Sequence, residues 1–161
     1  MFRAQSGDRE AFDLLLAELA PQLLRYVTRV TSDPALAQDV VQETLILIVR
    51  KLSWLQDASL FRPWAYRIAS REAFRALKKR RIALPVEELP ADAYDPPDPW
   101  QRERVLASVG RLAPGSRAVI TLHYLEELTL AEVAAVLDLG INTVKSRLAY
   151  GLAQLRKSQK G

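Results

Sequence analysis

The stretch that decides the fold is residues 129–148, Thr-Leu-Ala-Glu-Val-Ala-Ala-Val-Leu-Asp-Leu-Gly-Ile-Asn-Thr-Val-Lys-Ser-Arg-Leu. Thr129 is followed three residues later by Glu132, which is the pattern of a helix capping box. Gly140 interrupts the apolar pattern and predicts a turn before a second helix. This order of cap, short helix, turn and second helix is typical of a helix-turn-helix motif.

The apolar positions of this segment predict how the two helices pack. We expect Val133 and Leu137 to face the core from the first helix. Ala134 is small and would allow the helices to cross closely. Val144 and Leu148 would hold the second helix against the first.

The remaining positions of the second helix predict an outward surface for duplex DNA. Short hydroxyl side chains allow a close approach to phosphates, and Lys or Arg can reach phosphates or guanine edges in the major groove. An ordinary helical hairpin with a solvated polar face is the alternative. The predicted reading residues are Asn142, Thr143, Lys145, Ser146, Arg147 and Tyr150.

The rest of the chain is also predicted to be helical, because apolar residues recur at helical spacing and no strand-like alternation is convincing. The expected fold is all-α, with two small helical domains joined by an acidic Pro-rich linker. In the first domain, one helix is expected around Phe12 to Leu19, a second from Pro21, and a third from Pro34 with Asp33 as its cap. A loop is expected at Ser53–Leu60. The other expected helices are Phe61–Arg81, Trp100–Leu112, Ser116–Leu125 and Asn142–Lys157.

The charge distribution predicts the domain boundaries. The chain has 161 residues and a net charge of +4. Residues 1–81 carry +5, residues 82–100 carry −5 and residues 101–161 carry +4. The middle block also holds five of the nine prolines, which remove backbone donors and disfavour helix. We therefore predict a first domain at 1–81, an extended linker at 82–100 and a second domain at 101–161.

Composition excludes several classes of function. The chain has no Cys and one His, which argues against thiol chemistry, disulfides and a His-rich metal site. No carboxylate pair, nucleophile with a base, or phosphate loop is evident, so we predict a protein that is not an enzyme and needs no cofactor or metal. No apolar run could span a bilayer, and residues 1–10 are polar. These features predict a cytoplasmic protein without membrane insertion.

A cationic helix with neighbouring aromatic residues predicts binding to a strand-separated nucleic acid. Arg67, Arg71, Arg75 and Lys79 recur every four residues and form one stripe. Unpaired bases stack on aromatic residues beside such cations. The alternatives are that Trp64 is a core residue and that the cations complement the helix dipole. The aromatic residues in or beside the preceding loop are Trp54, Phe61, Trp64 and Tyr66.

One face of the third expected helix is patterned like a protein interface. It is polar with one apolar residue inserted, as at the rim and centre of an interface. Spacing alone favours the alternative of a plain solvated face. The residues of this face are Asp39, Gln42, Glu43, Ile46 and Arg50.

Four segments in order resemble the extracytoplasmic-function (ECF) group of bacterial RNA polymerase sigma factors. Gly7–Phe12 looks like the usual opening of the group, and Asp33–Thr44 looks like region 2.2. Phe61–Ala69 looks like region 2.3, and Thr143–Leu148 looks like the recognition helix of region 4.2. The resemblance extends over nearly the whole chain.

The resemblance implies a role for each surface. The 39–50 face would bind the β′ clamp helices of core RNA polymerase, and the second domain would read the −35 element and contact the β flap. The acidic linker would thread toward the active-site and RNA-exit path. An anti-sigma factor would be a further partner. The residues implied for the −10 element are Trp54, Leu55, Gln56, Trp64, Arg67, Arg71, Arg75, Lys78 and Lys79.

Two other functions stay open on the sequence. A helix-turn-helix regulator that acts without core polymerase would not need the 39–50 face or the basic and aromatic region. A sigma-like mimic that titrates an anti-sigma factor would lose its DNA-facing cations, whereas the stripe on the first domain is intact here.

Overall fold

The computed structural model describes residue 4, residues 6–80 and residues 102–159. The chain divides into two compact units, Met1–Arg80 and Arg81–Gly161. All regular elements in the described residues are helical, and none is a strand. The prediction of two small helical domains is confirmed. The predicted linker, residues 82–100, lies outside the described residues.

Three long helices build the described part of the first unit. Helix α1 spans Arg9–Thr31, α2 spans Pro34–Lys51 and α3 spans Phe61–Lys79. Two single 3-10 turns, Leu52–Trp54 and Ala58–Leu60, connect α2 to α3. The expected loop before α3 is therefore built largely of these two turns.

The sequence pattern predicted that a new helix starts at Pro21. This prediction was wrong, because α1 runs through Pro21 without a break. Proline removes one backbone donor and crowds the preceding turn, so this continuity needs a compensating gain. Leu19, Leu23, Tyr26, Val27 and Val30 are all buried along one face of α1 on both sides of Pro21. Pro21 itself is exposed, so the carbonyl group that loses its partner lies on the solvent side. Burial of one continuous apolar face compensates for the lost hydrogen bond.

A buried polar contact joins α1 to α3. The Tyr26 hydroxyl lies 2.7 Å from the Ser70 hydroxyl oxygen. Ser70 Oγ also lies 2.7 Å from the Tyr66 carbonyl oxygen, to which it donates a hydrogen bond. The Tyr26 and Tyr66 rings meet edge to face with centroids 5.3 Å apart. Because Ser70 donates to Tyr66, the Tyr26 hydroxyl donates to Ser70, and all three buried groups are satisfied.

The start of α2 is tied to the end of α3 by one side chain. Asp33 caps α2, accepting a 3.0 Å hydrogen bond from the Leu36 amide through Oδ1. Its Oδ2 accepts a 2.6 Å hydrogen bond from Nη1 of Arg80, the residue after α3. The cap and the Arg80 guanidinium together lower the pKa of the Asp33 carboxyl below its ordinary value of 3.8, with the cap hydrogen bond the largest cause.

Within residues 102–159, the second unit has four α-helices. Helix α4 spans Arg102–Ser108, α5 spans Pro114–Ile120, α6 spans Leu130–Leu137 and α7 spans Ile141–Gln159. A 3-10 turn at Val109–Arg111 follows α4, and a π-helical turn at Thr121–Leu125 follows α5. The expected helices Trp100–Leu112 and Ser116–Leu125 are thus shorter as α-helices, and each ends in a turn of different winding. Trp100 lies outside the described residues.

Helices α6 and α7 form the predicted helix-turn-helix. The capping box is confirmed, since Glu132 accepts a 2.8 Å hydrogen bond from the Thr129 amide while its own amide donates to Thr129 Oγ1 at 3.2 Å. Asp138 ends α6 in the left-handed conformation, with φ of 53°.

The core of this motif is largely as expected. Val133, Val144 and Leu148 are fully buried. Leu137 is only half-buried, and Val136 takes the interior position instead. Leu137 therefore lies at the edge of the core, and the prediction that it faces the core is met only in part.

We predict that Asp33→Asn lowers the unfolding temperature of the first unit at pH 7. The decrease should be small, because the ion pair of Asp33 with Arg80 is exposed. Because the pKa of Asp33 is lowered in the folded state, the ionised carboxyl stabilises the fold above its unfolded-state pKa, near 3.8. This stabilisation is lost as the pH falls through the folded-state pKa. The difference from wild type should therefore shrink below about pH 4. Thermal unfolding followed by tryptophan fluorescence measures this, since Trp54 and Trp64 both lie in the first unit. A difference that stays constant to pH 3 would contradict the assignment.

Candidate nucleic-acid and partner interfaces

The outer face of α2 is exposed along its length. The buried side of the helix holds Ala37, Val41 and Ile48 in the core, which turns the opposite side to solvent. Ile46 keeps 40% of its surface exposed in the middle of this face. The structure thus brings the five residues predicted for a protein interface onto one surface. They are Asp39, Gln42, Glu43, Ile46 and Arg50, all exposed.

The segment between α2 and α3 presents a large aromatic side chain to solvent. Trp54 ends the first 3-10 turn and is 75% exposed. Asp57 shapes the second turn, accepting hydrogen bonds from the Ser59 amide at 2.9 Å and the Ser59 hydroxyl at 2.6 Å. These hydrogen bonds, the hydroxyl first, lower the pKa of Asp57. Leu55 beside Trp54 is half-buried, and Gln56 is exposed. A capped, structured turn therefore carries an indole that has little contact with the protein.

The cations of α3 divide into two groups. Arg71, Arg75, Lys78 and Lys79 are exposed, whereas Arg67 is half-buried. Arg75 forms an ion pair with Glu72, with Nη1 2.9 Å from Oε1.

Trp64, at the start of α3, is half-buried. Its ring is tilted against that of Phe61, with centroids 6.1 Å apart. Trp64 is thus part of the wall of the unit, and Trp54 is the aromatic side chain with the greater exposed fraction.

The predicted reading residues of α7 differ in exposure. Asn142 and Lys145 are exposed, while Thr143, Ser146, Arg147 and Tyr150 are half-buried. Ser146 Oγ donates a 2.9 Å hydrogen bond to the Asn142 carbonyl. Of these, Arg147 lies against α5, since a Cβ on Gly115 would lie 2.8 Å from its Nη1.

Both units match models of one protein family. Residues 15–82 match sigma-70 region 2, and residues 109–157 match sigma-70 region 4. These ranges together cover more than half of the chain. The chain belongs to the sigma-70 family.

Curated relatives place this sigma factor in the ECF group. The RNA polymerase sigma-H factor of Pseudomonas aeruginosa is 31% identical, with 91% of this chain and 84% of the relative covered. The ECF RNA polymerase sigma-E factor of Haemophilus influenzae is 30% identical, with 91% and 86% covered. The predicted resemblance is confirmed, and with it the function of a sigma factor, which binds core polymerase and recognises promoters.

Solved structures share the fold. CnrH, solved in complex with the cytosolic domain of CnrY, has a TM-score of 0.71 at 26% identity, with 98% of this chain and 93% of that chain covered. The sigma factor RpoE of Bartonella quintana, solved in complex with the anti-sigma factor NepR, also has a TM-score of 0.71, at 22% identity, with 94% and 98% covered.

The structure adds one residue to the α2 surface of this sigma factor. Val49 is 48% exposed and follows Ile46 by three residues, so the two side chains lie side by side on the helix. The sequence carried this signal, since Gln42, Ile46 and Val49 have helical spacing off the buried stripe. A surface with two adjacent exposed apolar side chains is a stronger interface candidate than one with a single such side chain.

A groove of about 520 Å³ separates α2 from the C-terminal half of α3. Leu36, Val40 and Ala76 contribute the apolar part of its lining. Charged residues of opposite sign line its sides. Asp39 and Glu43 lie on α2, and Glu72, Arg75, Lys79 and Arg80 lie on or just after α3.

Two absences hold within the residues that the structure describes. No helix there combines the length and apolar character needed to cross a bilayer. No cluster of three His, Asp or Glu side chains there could hold a metal ion. The single histidine has a structural contact, since His123 Nδ1 lies 2.8 Å from the Leu128 carbonyl oxygen.

Proposed function

We propose that this ECF sigma factor binds the β′ clamp helices of core polymerase through the outer face of α2. The observation that carries the proposal is the pair of exposed side chains Ile46 and Val49, surrounded by polar residues. An apolar centre with a polar rim is how a protein interface is built. The residues of this face are Asp39, Gln42, Glu43, Ile46, Val49 and Arg50.

The first unit would also hold the separated strand of the −10 element. Trp54, with Leu55 and Gln56 beside it, offers an exposed ring on which a base could stack. The exposed cations of α3 would follow the sugar–phosphate backbone. Trp64 and Arg67 are half-buried and would support this surface from its edge. The cations are Arg71, Arg75, Lys78 and Lys79.

The second unit would read the −35 element as a duplex. Helix-turn-helix proteins place the start of the second helix in the major groove. Asn142 and Lys145 are exposed at the start of α7 and fit that role. The half-buried residues Thr143, Ser146, Arg147 and Tyr150 would form the flank of the same surface. The same unit would contact the β flap, and residues 82–100 would lie along the path of the nascent RNA.

The mechanism is binding, without a bond-making step by this chain. A protein that binds core polymerase and promoter DNA would work in the cytoplasm, where both are found. An anti-sigma factor would block either interaction by covering the α2 face or the groove beside it. This last partner is supported by the two solved relatives, of which RpoE is bound to the anti-sigma factor NepR.

Run-off transcription tests the proposed function directly. Purified core polymerase with this chain and a library of genomic fragments should give transcripts from defined start points, and core polymerase alone should not. Absence of chain-dependent starts would overturn the proposal. Core binding without any initiation would instead favour a mimic that titrates an anti-sigma factor.

We predict that Gln42→Ala combined with Glu43→Ala weakens core binding by about tenfold, because two polar rim contacts are lost. The fold should be retained, since both side chains are exposed. Equilibrium binding of the labelled chain to core polymerase measures the effect. The matched control is Glu18→Ala, at an exposed position of α1, which should bind like wild type. Equal binding by the double variant would remove this face from the interface.

We predict that Lys145→Ala weakens binding of the holoenzyme to a promoter duplex and reduces the slope of log K against log salt by about 1, as expected when one phosphate contact is lost. Lys157→Ala, an exposed cation in the last turn of the same helix, is the control and should leave the slope unchanged. A slope that falls equally in both variants would mean that α7 attracts DNA without a specific contact at its start.

A further inference from the structure

The guanidinium of Arg147 rests on a glycine. A Cβ built on Gly115, in the first turn of α5, would lie 2.8 Å from Nη1 of Arg147, 3.2 Å from Cζ and 3.7 Å from Nε. The guanidinium therefore occupies the space that a β-carbon at position 115 would take. Any side chain at position 115 would have to displace it. We call this contact the glycine seat.

The glycine at position 115 is explained by space and not by backbone conformation. Gly7 is the glycine with a positive φ among the described residues, so Gly115 has a backbone that alanine can adopt. Glycine inside a helix is less favourable than alanine. Position 115 is a glycine despite this lower helix propensity, and the Arg147 guanidinium lies directly over it. This indicates that the glycine provides room for Arg147.

Among the described residues, Arg147 has no counter-charge in the seat. Its Nε is buried and has no hydrogen-bond partner there. The ion pairs of Arg75 with Glu72 and of Arg80 with Asp33 do not involve Arg147. A partly buried cation without an anion is unfavourable until an anion arrives. Because the side chain is half-buried and not fully enclosed, the rest of the guanidinium can reach an anion from outside.

We propose that Gly115 is a positioning residue for promoter DNA, which holds Arg147 as a preorganised cation for a duplex phosphate. The inference rests on the proposed −35 role of α7. Lys145, two residues earlier on α7, is exposed and must be ordered on binding, whereas the half-buried Arg147 has less freedom to lose. The glycine seat thus increases the affinity of the protein for promoter DNA through Arg147, and this increase depends on Gly115 in another helix.

The test uses the holoenzyme and a promoter fragment obtained from run-off transcription. Four variants are compared with wild type: Gly115→Ala, Arg147→Ala, the double variant and Gly110→Ala. Gly110 is the matched control, because a Cβ there would meet no atom within 4 Å. We expect Gly115→Ala to weaken binding by about 3- to 10-fold, the range expected when one long side chain loses its preorganisation. Its unfolding temperature should not fall, since alanine favours the helix.

The double variant separates positioning from a general structural effect. If Gly115 acts through Arg147, the double variant should bind no more weakly than Arg147→Ala alone. Gly110→Ala should bind like wild type. Wild-type affinity for Gly115→Ala, or a loss that adds fully to that of Arg147→Ala, would overturn the proposal.

A second measurement tests the seat without DNA or polymerase. In the full-length chain, the Arg147 Nε–H should exchange with solvent slowly in wild type and in Gly110→Ala, and much faster in Gly115→Ala, as followed by NMR. Equal exchange in all three would overturn the seat. If the holoenzyme initiates nowhere, the proposed function fails and the phosphate role fails with it, while slow exchange in wild type would still show that Gly115 holds Arg147.

Discussion

The hydrogen bond between Tyr26 and Ser70 is the contact on which the surface of the first unit depends. It joins α1 to α3 at 2.7 Å in a fully buried place, where either hydroxyl alone would be costly. The rotation of α3 that brings Ser70 to Tyr26 also buries Ala69, Ala73 and Leu77, so the hydrogen bond and the apolar face select the same side of that helix for the core. Arg71, the next residue, is thereby turned to solvent, and the other exposed cations follow at helical spacing. The proposed nucleic-acid surface is thus a consequence of how the core packs.

Much of the fold and of the candidate site could be predicted from the sequence where the signal is local. The capping box at Thr129 and Glu132 forms as the spacing predicted, since both hydrogen bonds span one turn. The outer face of α2 was predictable for the same reason. Pro21 was misread because its local preference was outweighed by a buried face that continues through α1. Leu137 lies only at the edge of the core, because helical periodicity does not show which of two adjacent residues, Val136 or Leu137, packs more deeply.

Contacts between residues that are far apart in the sequence could not be predicted from helical spacing. Helical periodicity places Arg147 on the flank of α7 but does not say that a glycine from α5 lies beneath it. Asp33 was expected to cap α2, yet its second partner, Arg80, comes from the far end of α3. Such pairs depend on the angle at which two helices cross, and this angle follows from the whole packed interior.

Several arginines take part in contacts within the protein, whereas the exposed lysines remain available to a ligand. Arg80 pairs with Asp33, Arg62 lies over the Tyr66 ring at 5.6 Å, and Arg117 is buried, which lowers its pKa. A guanidinium is weakly hydrated and planar, so it tolerates such half-buried places, whereas a strongly hydrated ammonium stays in water. Lys78, Lys79 and Lys145 are all exposed. The number of cations in each domain would therefore overstate the number that meet DNA directly. A half-buried arginine could still contribute if, as proposed for Arg147, it is held at the edge of the proposed DNA-binding surface.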